Sequence, residues 1–194
     1  LLAQAAGNAD RGHDLANTCL GCHGVPGYKN AYPNYSVPKL EGQHPEYLVL
    51  ALQAYRNGER SHLTMHSQAS SLTDQDMADI AAYFSSKPIS KDNNPAEGKA
   101  PEAAQVCVAC HGENGVGITP QYPTLAGQHA DYLEQAMRDY RKGGRKNAIM
   151  ATFAQQVKEE DIRTLARFYA QQKPTLETEA RPSSILTAGG AEKK

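Results

Sequence analysis

The pentapeptide Cys-x-x-Cys-His occurs twice in this chain, and the two copies use all four of its cysteines. The copies are Cys19-Leu-Gly-Cys22-His23 and Cys107-Val-Ala-Cys110-His111. Two thiols one helical turn apart can each form a thioether with a vinyl group of one porphyrin. The histidine after the second thiol then lies below the ring and offers its imidazole to the iron. The motifs therefore predict two covalently bound haem c groups, with His23 and His111 as iron ligands.

Three other uses of paired cysteines fit the sequence less well. The two pairs of a zinc site usually lie much closer together than Cys22 and Cys107 do here. A thioredoxin-like motif needs neither a second copy nor a histidine after each pair. Structural disulfides belong, like covalent haem attachment, to compartments outside the cytosol. Haem attachment is therefore the favoured interpretation, and it implies export.

Composition excludes several classes of partner. Charges nearly cancel, with 20 Lys and Arg against 21 Asp and Glu, so no nucleic-acid or membrane-surface partner is indicated. No stretch reaches the length of a transmembrane helix. The apolar start, Leu1–Ala5, has the small residues that precede signal-peptide cleavage. It is interpreted either as the end of a secretory signal or as an ordinary apolar terminus.

The haem motifs belong to a longer internal repeat. The segment from Leu40 to Leu48 matches the segment from Leu125 to Leu133, both built on Gly-Gln-His and Tyr-Leu. Matched residues differ by 85 positions, whereas the cysteines differ by 88, so the first copy holds three extra residues. They fall in the loop from Tyr28 to Pro38, where added length is tolerated. Self-similarity on this scale predicts two homologous domains.

The domain boundary lies in a polar segment with two prolines, Lys87 to Pro95, which has no helical period. We therefore expect an N-terminal mono-haem domain at residues 1–90 and a C-terminal one at residues 91–173. Residues 174–194 are rich in Glu, Ser, Ala and Gly and have little apolar periodicity. They predict a disordered or surface-draped tail.

Helical periodicity recurs in both copies and nothing suggests a sheet, so the fold class is all-α. We expect three helices in each copy. The first runs into the haem motif, from about Asp10 to Cys19 and from about Pro95 to Ala109. The second begins just after Gly-Gln-His and ends at Gly58 or Gly143. The third of the first copy opens at Thr73 as N-cap, with acidic residues in its first turn.

The sixth iron ligand of each haem is sought among four methionines. Two of them lie on apolar helical stripes, where core packing explains them: Met77 and Met137. Met65 and Met150 instead lie in segments that we expect to be irregular, and they match each other in the repeat. His62 and His66 are rival ligands for the first haem, but the second copy has no histidine at the matching places. Met65 and Met150 are therefore favoured.

Other repeated residues have a physical use beside a haem. The carbonyls of Pro38 and Pro123 are placed to accept the Nδ1–H of each haem histidine and so fix its orientation. Arg56 and Arg141, each after a tyrosine, are either propionate donors or part of a solvated helix face. His44 and His129 stand just before the second helix of each copy, where a helix-entry or domain-contact role is expected.

With two CxxCHG motifs, twin GQH-x-x-Tyr-Leu segments and a methionine before each last helix, the chain resembles the di-haem cytochrome c4 family. The resemblance covers about Asp10 to Gln172. It implies two tandem class I cytochrome c domains related by pseudo-twofold symmetry, whose haems face each other. It implies thioether bonds to the haems from Cys19, Cys22, Cys107 and Cys110. It also implies two axial ligand pairs for the irons, His23/Met65 and His111/Met150. The family's usual Asn-Asp-Pro-Met-Met-like stretch lacks its proline in both copies here.

The resemblance also implies the function, which is that of a soluble electron carrier in the bacterial periplasm and not of an enzyme. Its partners would be redox proteins: a quinol-oxidising complex or dehydrogenase as donor and a terminal oxidase as acceptor. Peripheral membrane association would arise through those partners. The alternative is a cytochrome subunit of a periplasmic dehydrogenase, for instance one that oxidises sulfide. A di-haem peroxidase needs an open sixth position, which paired methionines argue against.

The two copies differ in charge. Residues 1–90 hold six Lys and Arg against eight Asp and Glu, whereas residues 91–173 hold eleven against ten. The second copy gathers five cations near the end of its second helix: Arg138, Arg141, Lys142, Arg145 and Lys146. Such a cluster is either a solvated helix face or a patch that docks an acidic partner and raises the potential of the second haem.

Overall fold

Nine α-helices make up nearly all of the regular structure in the computed structural model, which describes residues 6–87, 95–173 and 176–179. Within those ranges no β-strand forms, and the only β pairing is three isolated bridges. The all-α fold class is therefore confirmed. The expected linker falls largely on residues 88–94 and the expected signal remnant on residues 1–5, and both lie outside the described residues.

The first domain holds five helices, with short connections between the last three. Their bounds are α1 Ala9–Leu15, α2 Leu20–His23, α3 Pro45–Arg56, α4 Leu63–Ser70 and α5 Asp74–Phe84. Helix α1 packs on α5, and α3 contacts both α4 and α5. Their buried stripes form one core around Met77, Ile80 and Phe84, against which Cys19 and Met65 also pack.

The second domain repeats this plan in the matching register. A 3₁₀ turn at Glu102–Ala104 leads into α6 Gln105–His111, followed by α7 Ala130–Lys142, α8 Ala148–Gln156 and α9 Glu159–Ala170. Helix α7 packs on α8 and on α9. Its core forms two neighbouring clusters, one around Ile162 and Leu165 and one around Leu133 and Tyr169.

The expected first helices are shorter than the sequence suggested. In the first copy the helix stops at Leu15 and re-forms at Leu20, because Asn17 and Thr18 between them are poor helix formers. In the second copy Pro101 and the positive φ of Gly98, 79°, keep the chain irregular until Glu102. Buried Gln172 holds this irregular segment, since it accepts from the Glu97 amide at 2.8 Å and donates to the Glu97 carbonyl at 3.0 Å.

The methionine segments were expected to be irregular, and they are helical. Met65 and Met150 lie in the first turns of α4 and α8. The residues that precede each helix explain this. Asn147 caps α8, accepting from the Met150 amide at 2.9 Å, and His62 caps α4 at the matching position, accepting from the Met65 amide at 3.3 Å. Each domain therefore has more than the three expected helices.

The other helix boundaries follow the expected signals. Thr73 and Asp76 form a capping box at the start of α5, each side chain accepting from the other residue's backbone amide. Helix α7 ends at Gly143 in the left-handed conformation, with φ of 78°.

The two domains meet through reciprocal contacts that repeat at the 85-residue offset. The Ser61 amide donates to the Gly144 carbonyl at 2.8 Å, and the Lys146 amide donates to the Glu59 carbonyl at 2.7 Å. Arg60 and Arg145 form the antiparallel bridge between these bonds. Each contact is exchanged for its partner when the domains are exchanged, so the interface has pseudo-twofold symmetry.

Part of the predicted tail contacts both domains. Glu177 forms an antiparallel bridge with Glu41, and the Leu176 amide donates to the Ala126 carbonyl at 3.0 Å. The Leu176 side chain is fully buried. The rest of the expected tail, apart from Thr178 and Glu179, lies outside the described residues. Among the residues described, no helix is long and apolar enough to cross a membrane.

Candidate haem-binding sites

Both cysteine pairs have the spacing in space that haem attachment requires. Cys19 and Cys22 are one turn apart at the start of α2, and the His23 amide closes that turn on the Cys19 carbonyl at 2.8 Å. Cys107 and Cys110 lie one turn apart on α6. All four thiols are free and half-buried. Burial raises the pKa of the Cys19 and Cys107 thiols.

The two motif histidines are buried and oriented alike. His23 Nδ1 lies 2.8 Å from the Pro38 carbonyl oxygen, and His111 Nδ1 lies 2.9 Å from that of Pro123. A carbonyl only accepts, so Nδ1 carries the proton in both rings. Burial also lowers the pKa of each imidazole, which favours the neutral form. Each ring therefore presents an unprotonated Nε2 for a metal, as the sequence predicted from the two prolines.

The rival histidines of the first domain are engaged elsewhere. His62 uses Nδ1 to cap the Met65 amide, and its Nε2 lies 3.2 Å from Asn30 Oδ1. His66 Nδ1 lies 2.8 Å from the Tyr55 carbonyl oxygen. Met65, in contrast, packs half-buried against the core cluster that also contacts Cys19. The side chains of Cys19 and Met65 thus border the same apolar region in the first domain.

His44 takes the domain-contact role that its position suggested. It is the residue before α3, and its Nε2 lies 3.2 Å from the Gly117 carbonyl oxygen of the other domain. His129 occupies the matching place before α7.

The expected propionate donors have other partners. Arg56 donates to the Leu72 carbonyl at 3.0 Å and to Asp74 at 2.6 Å, which ties α3 to the start of α5. Arg141 donates to the carbonyls of Ala154 and Val157 and to Glu159, which ties α7 to α8 and α9 in the same way. Both arginines therefore stabilise the junction between helices.

The sequence analysis did not consider Arg60 and Arg145 as donors to haem propionates. Both are buried at the domain interface, with 9% and 6% of their surface exposed. Arg60 lies over the rings of Tyr47 and Tyr55, both at 5.4 Å, and has no carboxylate partner among the described residues. Arg145 lies over Tyr132 and Tyr140 and approaches one carboxylate, Asp139, at 3.7 Å. Their shared position in the repeat, just after a helix stop, was the signal available in the sequence.

Buried guanidinium groups need anions beside them, because an unpaired buried charge is costly. Haem propionates are such anions, and the planar guanidinium fork suits a carboxylate. The four thiols and the two unprotonated imidazole nitrogens complete a donor set that fits two haem c groups. Among the described residues no cluster of three or more His, Cys, Asp or Glu side chains suits a bare metal ion.

Two of the five cations gathered in the second copy pair closely with carboxylates. Arg138 pairs with Glu134 and Glu159, and Arg141 also pairs with Glu159. Arg145 is buried at the interface and does not face solvent. Two of the five cations, Arg138 and Arg141, thus join helices of the second domain, and Arg145 lies at the domain interface. The docking patch, one of the two interpretations of this cluster, stays a prediction.

One buried polar atom distinguishes the two domains. The Tyr169 hydroxyl is buried without a hydrogen-bond partner of ordinary geometry, and the group beside it is the Cys107 thiol. Burial, together with that thiol, raises the pKa of Tyr169. Phe84 occupies the matching position in the first domain. A hydroxyl thus lies at the predicted thioether edge of only one site.

Comparison with known proteins agrees with this geometry. The family model described as cytochrome c matches the chain twice, over residues 9–87 and 95–173. Cytochrome c4 from Pseudomonas aeruginosa is 38% identical over 183 residues, which covers 86% of this chain and 90% of that protein. A protein from Stutzerimonas stutzeri described as a thiosulfate dehydrogenase electron acceptor is 31% identical, covering 80% of this chain and 79% of that protein.

A solved structure agrees as well. The crystal structure of reduced recombinant cytochrome c4 from Pseudomonas stutzeri superposes with a TM-score of 0.66 at 32% identity. The match covers 86% of this chain and 100% of that one. The repeated CxxCH motifs, the tandem helical domains and these relatives lead to one conclusion: the chain belongs to the cytochrome c4 family and carries two covalently bound haem c groups.

Proposed function

We propose that this protein is a bacterial periplasmic electron carrier, with one haem in each of two domains at residues 1–90 and 91–173. Cys19, Cys22, Cys107 and Cys110 form the thioethers, and the axial pairs are His23 with Met65 and His111 with Met150. The observation that carries the proposal is the matched ligand set, in which both domains offer a carbonyl-oriented histidine and a helix-capped methionine.

Haem iron supplies one-electron exchange between its ferric and ferrous states. The chain determines how readily that exchange occurs and with whom. The Pro38 and Pro123 carbonyls hold each imidazole in one tautomer and one orientation. Met65 and Met150 close the sixth position to small molecules, which suits electron transfer and leaves no open site for an enzymatic substrate.

The interface arginines have a second task in this proposal. Arg60 and Arg145 offer positive charge where the two domains meet, in a region shielded from solvent. Their guanidinium groups would hold propionates of the two haems and would favour the ferrous state of each. Because the two arginines face each other across the pseudo-twofold axis, they would also bring the two redox sites to one interface.

The partners are redox proteins. A quinol-oxidising complex or a dehydrogenase supplies electrons and a terminal oxidase accepts them, and membrane association arises through these partners. Nucleic acid is not among them. Leu63 and Ile149, at the starts of the two methionine helices, leave 86% and 55% of their surface exposed. Apolar side chains beside the ligand helices suit transient docking of such a partner.

A second candidate is a cytochrome subunit of a periplasmic dehydrogenase, and the relative described as a thiosulfate dehydrogenase electron acceptor favours it. The two candidates share their haem chemistry and differ in the permanence of the partner. Purification from the native organism at low and high salt separates them. A carrier elutes alone, whereas a subunit elutes with a stoichiometric partner.

An optical redox titration of the purified holoprotein tests the proposed function. Two reversible one-electron transitions are expected, and the reduced protein should not bind carbon monoxide. Binding of carbon monoxide by the unaltered protein would reveal an open sixth position and favour a di-haem enzyme instead. A single haem per chain would contradict the proposal altogether.

A further inference from the structure

We propose that Gln43 and Gln128 are positioning residues that act across the domain boundary, each orienting the axial histidine of the other domain. The proposal deepens the proposed function and rests on it, because it takes His23 and His111 as haem ligands. Its basis is a rigid peptide group that two domains hold from opposite sides.

The peptide group between Pro38 and Lys39 shows the arrangement. Its carbonyl oxygen accepts from His23 Nδ1 at 2.8 Å, within the first domain. Its amide nitrogen, on Lys39, donates to Gln128 Oε1 of the second domain at 3.0 Å. The peptide group is planar, so its N–H and C=O directions cannot change independently. Whatever fixes the Lys39 N–H therefore also fixes the oxygen that orients His23.

The same arrangement recurs in the second domain with the roles exchanged. The peptide group between Pro123 and Thr124 accepts from His111 Nδ1 at 2.9 Å. Its amide nitrogen, on Thr124, donates to Gln43 Oε1 of the first domain at 2.9 Å. Each site thus depends on a glutamine supplied by the other half of the molecule.

Further hydrogen bonds and burial hold both glutamine side chains in place. Each also donates its Nε2 to the next carbonyl, Gln128 to Lys39 and Gln43 to Thr124, both at 3.0 Å. Each Oε1 accepts in addition from the following histidine amide, at the start of α3 or α7. Only 5% of Gln43 and 4% of Gln128 is exposed, so water cannot easily replace these bonds.

The expected consequence is a link between the interface and the redox potential. A hydrogen bond at Nδ1 makes the imidazole a stronger donor to the iron, which favours the ferric state. Donation from Lys39 to Gln128 polarises the shared peptide group and strengthens its carbonyl as an acceptor. Loss of Gln128 should weaken the His23 bond and raise the potential of the first haem, and loss of Gln43 should do the same for the second.

Gln128→Met and Gln43→Met in the full holoprotein test this, with solvent-exposed Gln68→Met as the control. NMR signals of the axial methionine methyl groups, assigned with single ligand variants, report each haem's potential separately. The Nδ1–H signals of His23 and His111 report the hydrogen bonds directly. We expect Gln128→Met to raise the ferrous-to-ferric ratio of the first haem about threefold at a fixed ambient potential, or about 28 mV at 59 mV per tenfold.

The crossed pattern decides the matter. Gln128→Met should leave the second haem unchanged and shift the His23 signal, and Gln43→Met should leave the first haem unchanged and shift the His111 signal. A shift in the mutated domain only, equal shifts in both, or no shift would overturn the inference. If a methionine variant does not fold, Gln128→Asn and Gln43→Asn, one methylene too short to span the peptide group, should give the same crossed shifts.

Failure of this inference differs visibly from failure of the proposed function. If the unaltered protein shows two histidine-ligated haems but the variants show no crossed shift, only the inference falls. If the unaltered protein lacks those ligands, the proposed function falls first.

Discussion

Arg60 and Arg145 form an antiparallel backbone bridge across the domain boundary, at the pseudo-twofold axis of the molecule. The residues on either side make the hydrogen bonds, so these two form the closer, non-hydrogen-bonded pair. Their guanidinium groups are nevertheless accommodated, because each lies over two tyrosine rings of its own domain. Two buried cations thus face the interface, and within the described part of the chain one carboxylate, Asp139, lies near them.

Arg60→Gln should lower the potential of the first haem. The variant removes a buried positive charge that has no carboxylate partner among the described residues. The ferric state, which carries more positive charge, then becomes relatively more stable. Spectroelectrochemical titration of the variant and the unaltered protein measures the change.

Arg56→Gln is the matched control for that substitution. It removes the donor to the Leu72 carbonyl and Asp74, so it should cost about 1–3 kcal/mol of stability without a comparable fall in potential. Equal effects of the two variants on the potential would contradict the role given to Arg60.

Asn147→Ala should loosen the helix that carries Met150. The Asn147 side chain caps α8 through the Met150 amide, and loss of such a cap costs about 0.5–2 kcal/mol. Carbon monoxide should therefore bind the reduced second haem faster than in the unaltered protein, as measured by stopped flow. Gln155→Ala, exposed on the same helix, should leave the rate unchanged. Identical rates for both variants would show that the cap does not hold the ligand.

The first domain should lose stability at low pH through Asp76. Its hydrogen bonds with Thr73 and its contact with Arg11 lower the pKa of this carboxyl to about 2. A carboxyl whose pKa is lower in the folded state stabilises the fold above its unfolded pKa of about 4 and loses that contribution as pH falls through its folded pKa. Thermal unfolding between about pH 4 and pH 2 should show this loss.

Asp76→Asn should reduce stability at neutral pH. The stability of this variant should also fall less as the pH is lowered from about 4 to about 2. Asp161→Asn, at the matching position of the second domain, serves as the comparison because its side chain lacks these contacts in the described structure. If Asp76→Asn loses as much stability between about pH 4 and pH 2 as the unaltered protein does, Asp76 is not the cause of that loss.

Tyr169→Phe should lower the potential of the second haem and leave the first unchanged. The Tyr169 hydroxyl is buried beside Cys107, and after thioether formation that sulfur can only accept a hydrogen bond. A hydroxyl dipole with its positive end toward the ring edge favours the ferrous state. The reciprocal change, Phe84→Tyr, should raise the potential of the first haem. Separate titration of both haems checks the pair, and a change in neither would remove Tyr169 as a tuning residue.

The sequence predicted those features that depend on local chemistry. The spacing of the two CxxCH motifs predicts the positions of their thiols, because a helical turn brings both thiols to one face. Pro38 and Pro123 were identified because they repeat at a fixed distance before Gly-Gln-His. The N-cap at Thr73 was predicted because its partner Asp76 is only three residues away in the sequence.

Features that depend on contacts between distant residues escaped prediction. Nothing in the sequence near Arg56 and Arg60 shows which of them ties two helices together and which is buried at the interface. The partners of the cationic cluster were not predicted either, since Glu159 lies 18 residues from Arg141 and pairs with it only after folding. Helix α4 was missed because its capping residue, His62, was considered as an iron ligand instead.

The central claim is that methionine completes both iron sites, and the ferric absorption spectra of Met65→Ala and Met150→Ala test it most directly. The weak band at the near-infrared edge reports methionine ligation to ferric haem. Each variant should keep both haems attached, lose about half of that band and bind carbon monoxide at one haem when reduced. If either variant keeps the full band and binds no carbon monoxide, that methionine is not a ligand and the account is wrong for that domain.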